Sequence, residues 1–325
     1  MRTTRRSLGA LGLLLALALT AAACGGGSGD GGGGGAGGGD GAFNDLDLSG
    51  VSLTVGSKDF TEQLILGEML VQSYQAAGAD VNNRVNLGGT QVNRQALLAG
   101  EIDVYAEYNG TGWTEHLGNE NPSDDPETLT ENVRKQDLEQ NKIHWLGRSP
   151  FNNTYGFATG PVLTKANGGA FDIKGMAKHL QDNPDAIVCM ESEFPDRSDG
   201  LVLFEKATGF SIPQNQVKIM NLDLIYNETA KGNCAFGEIF TTDGRIPFLD
   251  LEIVDDDDTF IIYNVSVNVR DEVYQQSPEA FDTIAENILE DLDNDTMAEL
   301  NRQVSVEGKD ASTVAREYLR SKDLI

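Results

Sequence analysis

From residue 51 onward short apolar runs alternate with amphipathic stretches, and few architectures satisfy that order. Residues 51–56 read as a strand, and residues 61–77 set Leu64, Ile65, Met69, Leu70 and Tyr74 at helical spacing with Thr61 as N-cap. Strand, helix and strand follow at 81–87, 91–99 and 102–107. This repetition predicts an α/β lobe with a mainly parallel sheet. After Pro150 a second set begins, with strands at 154–159, 186–191, 217–222 and 235–240 and helices at 175–181 and 201–208. A β-rich run at 259–269 leads into three helices, at 278–289, 296–304 and 311–322. Those helices have no sheet of their own and are expected to return to the first lobe. A length of 325 residues is about twice the ~150 typical of one domain, which suits two lobes.

The first segment reads as an address. Arg2, Arg5 and Arg6 precede an apolar stretch from Leu8 to Leu19, and Ala21-Ala22-Ala23 stands directly before Cys24. A helix crossing the ~30 Å hydrocarbon core takes about 20 residues, more than this stretch offers. Residues 1–23 are therefore expected to be a signal peptide, by the general or the twin-arginine route. The Ala-Ala-Cys ending resembles a bacterial lipobox and makes Cys24 the expected lipidation site. Residues 24–50 are then a lipidated Cys and a Gly-rich tether, a flexible coil spanning roughly 20–25 Å.

Acidic groups dominate: 24 Lys and Arg stand against 51 Asp and Glu, a formal charge of −27. That balance excludes nucleic acid, whose phosphates need basic partners, and suits a cationic ligand. The run Asp255-Asp256-Asp257-Asp258 reads as an exposed loop. His116, His144 and His179 are isolated and have no nucleophile signature beside them, so no catalytic residue is assigned. Asp291-Leu292-Asp293-Asn294-Asp295 starts like a calcium loop. However, Thr296 stands where Gly is needed and Arg302 where a bidentate Glu belongs. It reads instead as an N-cap cluster opening a helix at Met297, and neither metal nor cofactor is assigned. Cys189 and Cys234 lie in apolar runs of the second lobe; export permits a disulfide between them, and two buried thiols are the alternative.

Polar and aromatic residues gather at strand ends, where α/β sheets bind ligands. Several of these runs are long and ordered. Gly56-Ser57-Lys58-Asp59-Phe60-Thr61-Glu62-Gln63, Leu87-Gly88-Gly89-Thr90 and the stretch from Gly100 to Thr111 resemble the glycine betaine/choline (osmoprotectant) substrate-binding proteins of bacterial ABC importers. So do Thr242-Asp243-Gly244-Arg245-Ile246, Glu299-Leu300-Asn301 and Val306-Glu307-Gly308-Lys309-Asp310. The likeness runs from about residue 51 to residue 325.

This resemblance implies a two-lobed periplasmic-binding-protein fold of the second topological type, with a hinge and an interlobe ligand cleft. Lobe 1 would take residues 51–152 plus 265–325, and lobe 2 residues 153–264. Such proteins hold a trimethylammonium head in a cage of tyrosines and pair a carboxylate tail with cationic and hydroxyl groups. The matching positions are Lys58, Tyr108 and Thr111 on the first lobe and Tyr155, Arg197 and Tyr263 on the second lobe or hinge. Phe240 stands where a cage aromatic is expected, and Tyr226 is a further candidate.

Physical chemistry agrees with that carry-over. A quaternary ammonium has no N–H to donate, whereas an aromatic face attracts it by roughly 0.5–2 kcal/mol. Four faces give about 2–8 kcal/mol, and micromolar binding needs about 8.2. Lys58, Arg197 and Thr111 would supply the rest by charge-assisted bonds to a carboxylate, which favours glycine betaine over choline. The implied protein is not an enzyme. It is exported, anchored by lipid on the outer face of the cytoplasmic membrane, monomeric, and passes its small quaternary ammonium ligand to the membrane subunits of an ABC permease. Two rivals stand: a receptor for another cation, which wants carboxylates along the cleft, and an extracellular hydrolase or transferase, which needs a nucleophile–base pair there.

Overall fold

The computed structural model describes residues 41–325. The expected signal peptide, the lipidation of Cys24 and most of the glycine tether lie outside the described residues. The described part has ten strands: β1 (Ser52–Gly56), β2 (Asp80–Arg84), β3 (Val104–Tyr108), β4 (Ile143–Leu146), β5 (Tyr155–Thr159), β6 (Val188–Met190), β7 (Val217–Ile219), β8 (Phe236–Phe240), β9 (Glu252–Ile253) and β10 (Val265–Arg270). They form two five-stranded sheets, ordered β2-β1-β3-β10-β4 and β7-β6-β8-β5-β9. In the first, β1 runs parallel to β2 and β3, while β10 lies antiparallel between β3 and β4. In the second, β6 is parallel to β7 and β8, and β5 is antiparallel to β8 and β9. Each lobe is thus a mixed α/β sheet, with two parallel and two antiparallel pairings where a mainly parallel sheet was expected, and β10 returns from the second sheet to the first.

The chain crosses between sheets after β4 and after β9. Side chains strap the two crossings together: Asn264 Nδ2 donates to Ser149 O (3.1 Å) and Phe151 O (2.8 Å), and Tyr263 N donates to Asn152 Oδ1 (2.7 Å). The final helices, Pro278–Leu289, Asn294–Ser305 and Ala311–Ser321, pack on the helix Thr61–Ala76. That gives their apolar faces the cover that their own sequence lacks.

Several sequence expectations are revised. The tether ends earlier than residue 50, because Phe43 and Leu48 are buried in the core and Phe43 N bonds Leu324 O at 3.0 Å. The cap of Thr61–Ala76 is Phe60 in extended conformation, without a side-chain bond; this leaves the Phe60 ring free to pack elsewhere. The acidic cluster does cap a helix, but through Asp293, whose Oδ1 accepts from Thr296 N at 2.8 Å. The β-rich run shortens to β10, since residues 259–264 are crossover chain. The helix Pro126–Asn141 has little apolar periodicity and was not legible, nor was the helix Leu222–Ala230, which only Met220 and the N-cap Asn221 separate from β7.

Candidate functional site

A cavity of about 270 Å³ lies between the two sheets, small but close to the usual range for ligand pockets. Strand ends build it. Tyr108 closes β3, Phe240 closes β8, and Tyr155 opens β5 directly opposite Phe240 in the antiparallel register. Tyr263 arrives on the second crossover, two residues before Val265, which pairs with Tyr108. Phe60 projects from the end of the Thr61–Ala76 helix. The five rings make a closed circuit, with centroid separations of 6.3 Å (Phe60–Tyr108), 6.4 Å (Tyr108–Tyr263), 5.5 Å (Tyr263–Tyr155), 5.2 Å (Tyr155–Phe240) and 5.0 Å (Phe240–Phe60). All five line the cavity, and they come from both lobes.

Polar groups behind the rings fix them. Glu62 is buried and accepts four hydrogen bonds: from Tyr108 Oη (2.8 Å), Asn153 Nδ2 (2.9 Å), Thr242 Oγ1 (2.6 Å) and Asn301 Nδ2 (3.0 Å). Burial raises its carboxyl above the usual range, against the pull of those bonds. The Tyr108 hydroxyl is therefore spent on Glu62, and the ring offers the cavity its face. Burial also pushes the Tyr108, Tyr155 and Tyr263 hydroxyls well above their ordinary range, so all three stay neutral phenols.

Both cations of the cavity wall are already paired. Lys58 Nζ sits 2.7 Å from Glu107 Oε1 and 5.1 Å from the Tyr108 ring centroid. Glu107 is wholly buried, yet Lys58 and His116 outweigh that burial and hold its carboxyl well below the usual range. The Arg197 guanidinium forks onto Asp199 (2.7 and 2.8 Å) and also donates to Thr111 Oγ1 at 3.1 Å. Four carboxylates, Asp59, Glu191, Glu193 and Asp223, line the same cavity.

Of the residues singled out from sequence, Lys58, Tyr108, Thr111, Tyr155, Arg197, Phe240 and Tyr263 all line this cavity. Tyr226 does not. Its hydroxyl accepts from Phe240 N at 3.0 Å and its ring stacks under Arg245 at 4.1 Å, so it backs the wall. Phe60 was missed, although it stands two residues from Lys58 in the same motif and directly precedes a helical pattern. Cys189 and Cys234 are joined in a disulfide between β6 and the residue two before β8, away from the cavity. Among the described residues no group of His, Cys, Asp or Glu is arranged to hold a metal ion.

Direct contacts already join the lobes around the cavity. Thr90 N donates to Glu193 Oε1 (3.0 Å), Thr114 Oγ1 donates to Asp199 Oδ2 (2.7 Å), and Ser198 Oγ donates to Glu115 Oε1 (2.7 Å). A Cβ on Gly89 would lie 2.0 Å from the Glu193 carboxylate, so only glycine admits that approach.

The family model described as the substrate binding domain of ABC-type glycine betaine transport system matches residues 51–321. Glycine betaine-binding protein YehZ of Escherichia coli is 32% identical over 278 residues, covering 82% of this chain and 90% of that protein. A glycine-betaine-binding protein of Pseudomonas aeruginosa is 31% identical over 283 residues, covering 84% and 89%. The crystal structure of a glycine betaine/carnitine/choline ABC transporter superposes with a TM-score of 0.66 at 25% identity, over 83% of this chain and 98% of that one.

Proposed function

The chain belongs to the family of substrate-binding domains of ABC-type glycine betaine transport systems, and on that premise we propose that it captures one quaternary ammonium solute inside the ring of five aromatic side chains. It is a solute-binding component and not an enzyme. The observation that carries the solute class is the closed circuit Phe60–Tyr108–Tyr263–Tyr155–Phe240. Aromatic faces attract a methylated cation that no hydrogen-bond acceptor can grip. The proposed lobes are residues 51–152 plus 265–325 and residues 153–264, with the hinge at the strapped crossings; the division of the strands between two sheets supports this reading. A solute touching rings of both lobes favours the closed arrangement, which is the form a permease reads. Lipidation at Cys24, the outer face of the membrane and a monomeric state complete the proposal.

Glycine betaine is the solute named for two relatives, and it remains a candidate here. The sequence argument for it needed Lys58 and Arg197 free for a carboxylate, and each instead has a buried carboxylate of its own. Calorimetric titration of the purified protein with glycine betaine, choline, carnitine and proline betaine tests the assignment. Binding of at least one supports it, and heat of dilution alone for all four would remove it.

A further inference from the structure

We infer that Glu191 makes the cavity select a cationic solute whose polar end donates a hydrogen bond, a hydroxyl-ended cation such as choline, over a zwitterion ending in a carboxylate. The inference rests on the quaternary ammonium reading above and narrows it. Glu191 follows directly on β6 and lines the cavity. Its Oε2 accepts from Glu193 N at 2.7 Å, and among the described residues no Lys, Arg or His forms an ion pair with it. A second carboxylate, Glu238, lies beneath. It shares a strand face with Phe240, is fully buried, accepts from Glu191 N at 2.7 Å, and leaves Oε1 without a hydrogen-bond partner.

The cations that could offset this charge are taken. Lys58 is matched by Glu107 and the Arg197 fork by Asp199; the Nη1 edge of Arg197 donates to Thr90 Oγ1 at 3.4 Å and lies 3.9 Å from Glu193, so Arg197 offsets the Glu191 charge only in part. Burial, with the Glu191 charge adding to it, raises the Glu238 carboxyl well above its ordinary value; burial raises Glu191 as well, and of the two it is Glu191 that lines the cavity. A ligand carboxylate placed here would meet like charge in a partly desolvated site, whereas a hydroxyl would find an acceptor.

The test compares choline and glycine betaine by calorimetry on the wild-type protein, Glu191→Gln and Glu252→Gln. Gln keeps an acceptor oxygen for Glu193 N, so the Glu191 variant retains its local fold. Wild type is expected to bind choline at least tenfold more tightly than betaine. Glu191→Gln should shrink or reverse that ratio by at least tenfold, and Glu252→Gln, an exposed carboxylate of β9 that does not line the cavity, should leave it within about threefold. Betaine binding as tightly as choline to wild type, or an unchanged ratio in Glu191→Gln, overturns the inference and leaves the receptor assignment standing. Binding of neither overturns the inference, and the receptor reading falls with it only if carnitine and proline betaine also give heat of dilution alone. The wild-type ratio decides even if a variant fails to fold.

Discussion

Replacing Glu107 by Gln isolates the claim that the wall cations are neutralised from within. Four donors converge on this carboxylate: Lys58 Nζ (2.7 Å), Tyr108 N (2.7 Å), His116 Nε2 (2.9 Å) and Tyr105 Oη (3.1 Å). The variant leaves the Lys58 ammonium, only 4% exposed, without a countercharge. Removing one partner of a buried ion pair costs about 3–5 kcal/mol. At roughly 2 °C per kcal/mol for a protein of this size, melting should fall by about 6–10 °C at pH 7. The pH dependence carries the sign. The Glu107 carboxyl is held below its ordinary 4.5, so its contribution is complete above that value and drains away as pH falls through the folded pKa. Wild-type and variant melting temperatures should therefore converge on acidification, followed by circular dichroism. Adding Lys58→Met should recover most of the loss, because it removes the orphaned charge. A variant within about 1 kcal/mol of wild type at neutral pH, or parallel pH curves, would refute the pairing.

Tyr155→Ala removes a face that touches Phe240 and Tyr263 and should weaken solute binding at least tenfold without unfolding; wild-type-like titration would take that ring out of the site. Tyr226→Phe should leave affinity within about twofold while costing about 1 kcal/mol of stability through the lost bond to Phe240 N, measured in urea. A tenfold affinity loss there would contradict its place behind the wall. Changing Cys189 and Cys234 together to Ser opens a loop of sequence separation 45 and should cost about 2–4 kcal/mol, seen as a lower urea midpoint. Unchanged stability would mean that the bond restrains little in the unfolded chain.

Much of the frame was legible because it depends on period and order. Leu64, Ile65, Met69 and Leu70 announce a helix, and the valines 265, 267 and 269 announce a strand. Partners were less legible. Nothing local tells that Glu107 will meet Lys58, since 49 residues separate them and only the β1–β3 pairing brings them together. Asp199 differs: it sits only two residues from Arg197, so that pairing is local and was within reach of the sequence. Reading Lys58 and Arg197 as free cations therefore overstated the case for a carboxylate ligand. Tyr226 misled for a similar reason: its spacing from Phe240 is uninformative until the helix Leu222–Ala230 is seen to pack behind β8. Phe60 was hidden by its own motif, where the charged Lys58 and Asp59 drew the functional reading and the ring looked like helix packing.

Charge on the solute's methylated head is the most direct probe of the ring circuit. The purified protein is titrated with whichever quaternary ammonium solute it binds most tightly, and then with the neutral analogue in which a tert-butyl group replaces trimethylammonium. Size and shape are conserved, and only the attraction between cation and ring faces is lost. Five faces predict a drop in affinity of at least tenfold for the analogue. Equal affinity would show that the rings act as an apolar lining alone and would contradict cation recognition as the basis of binding.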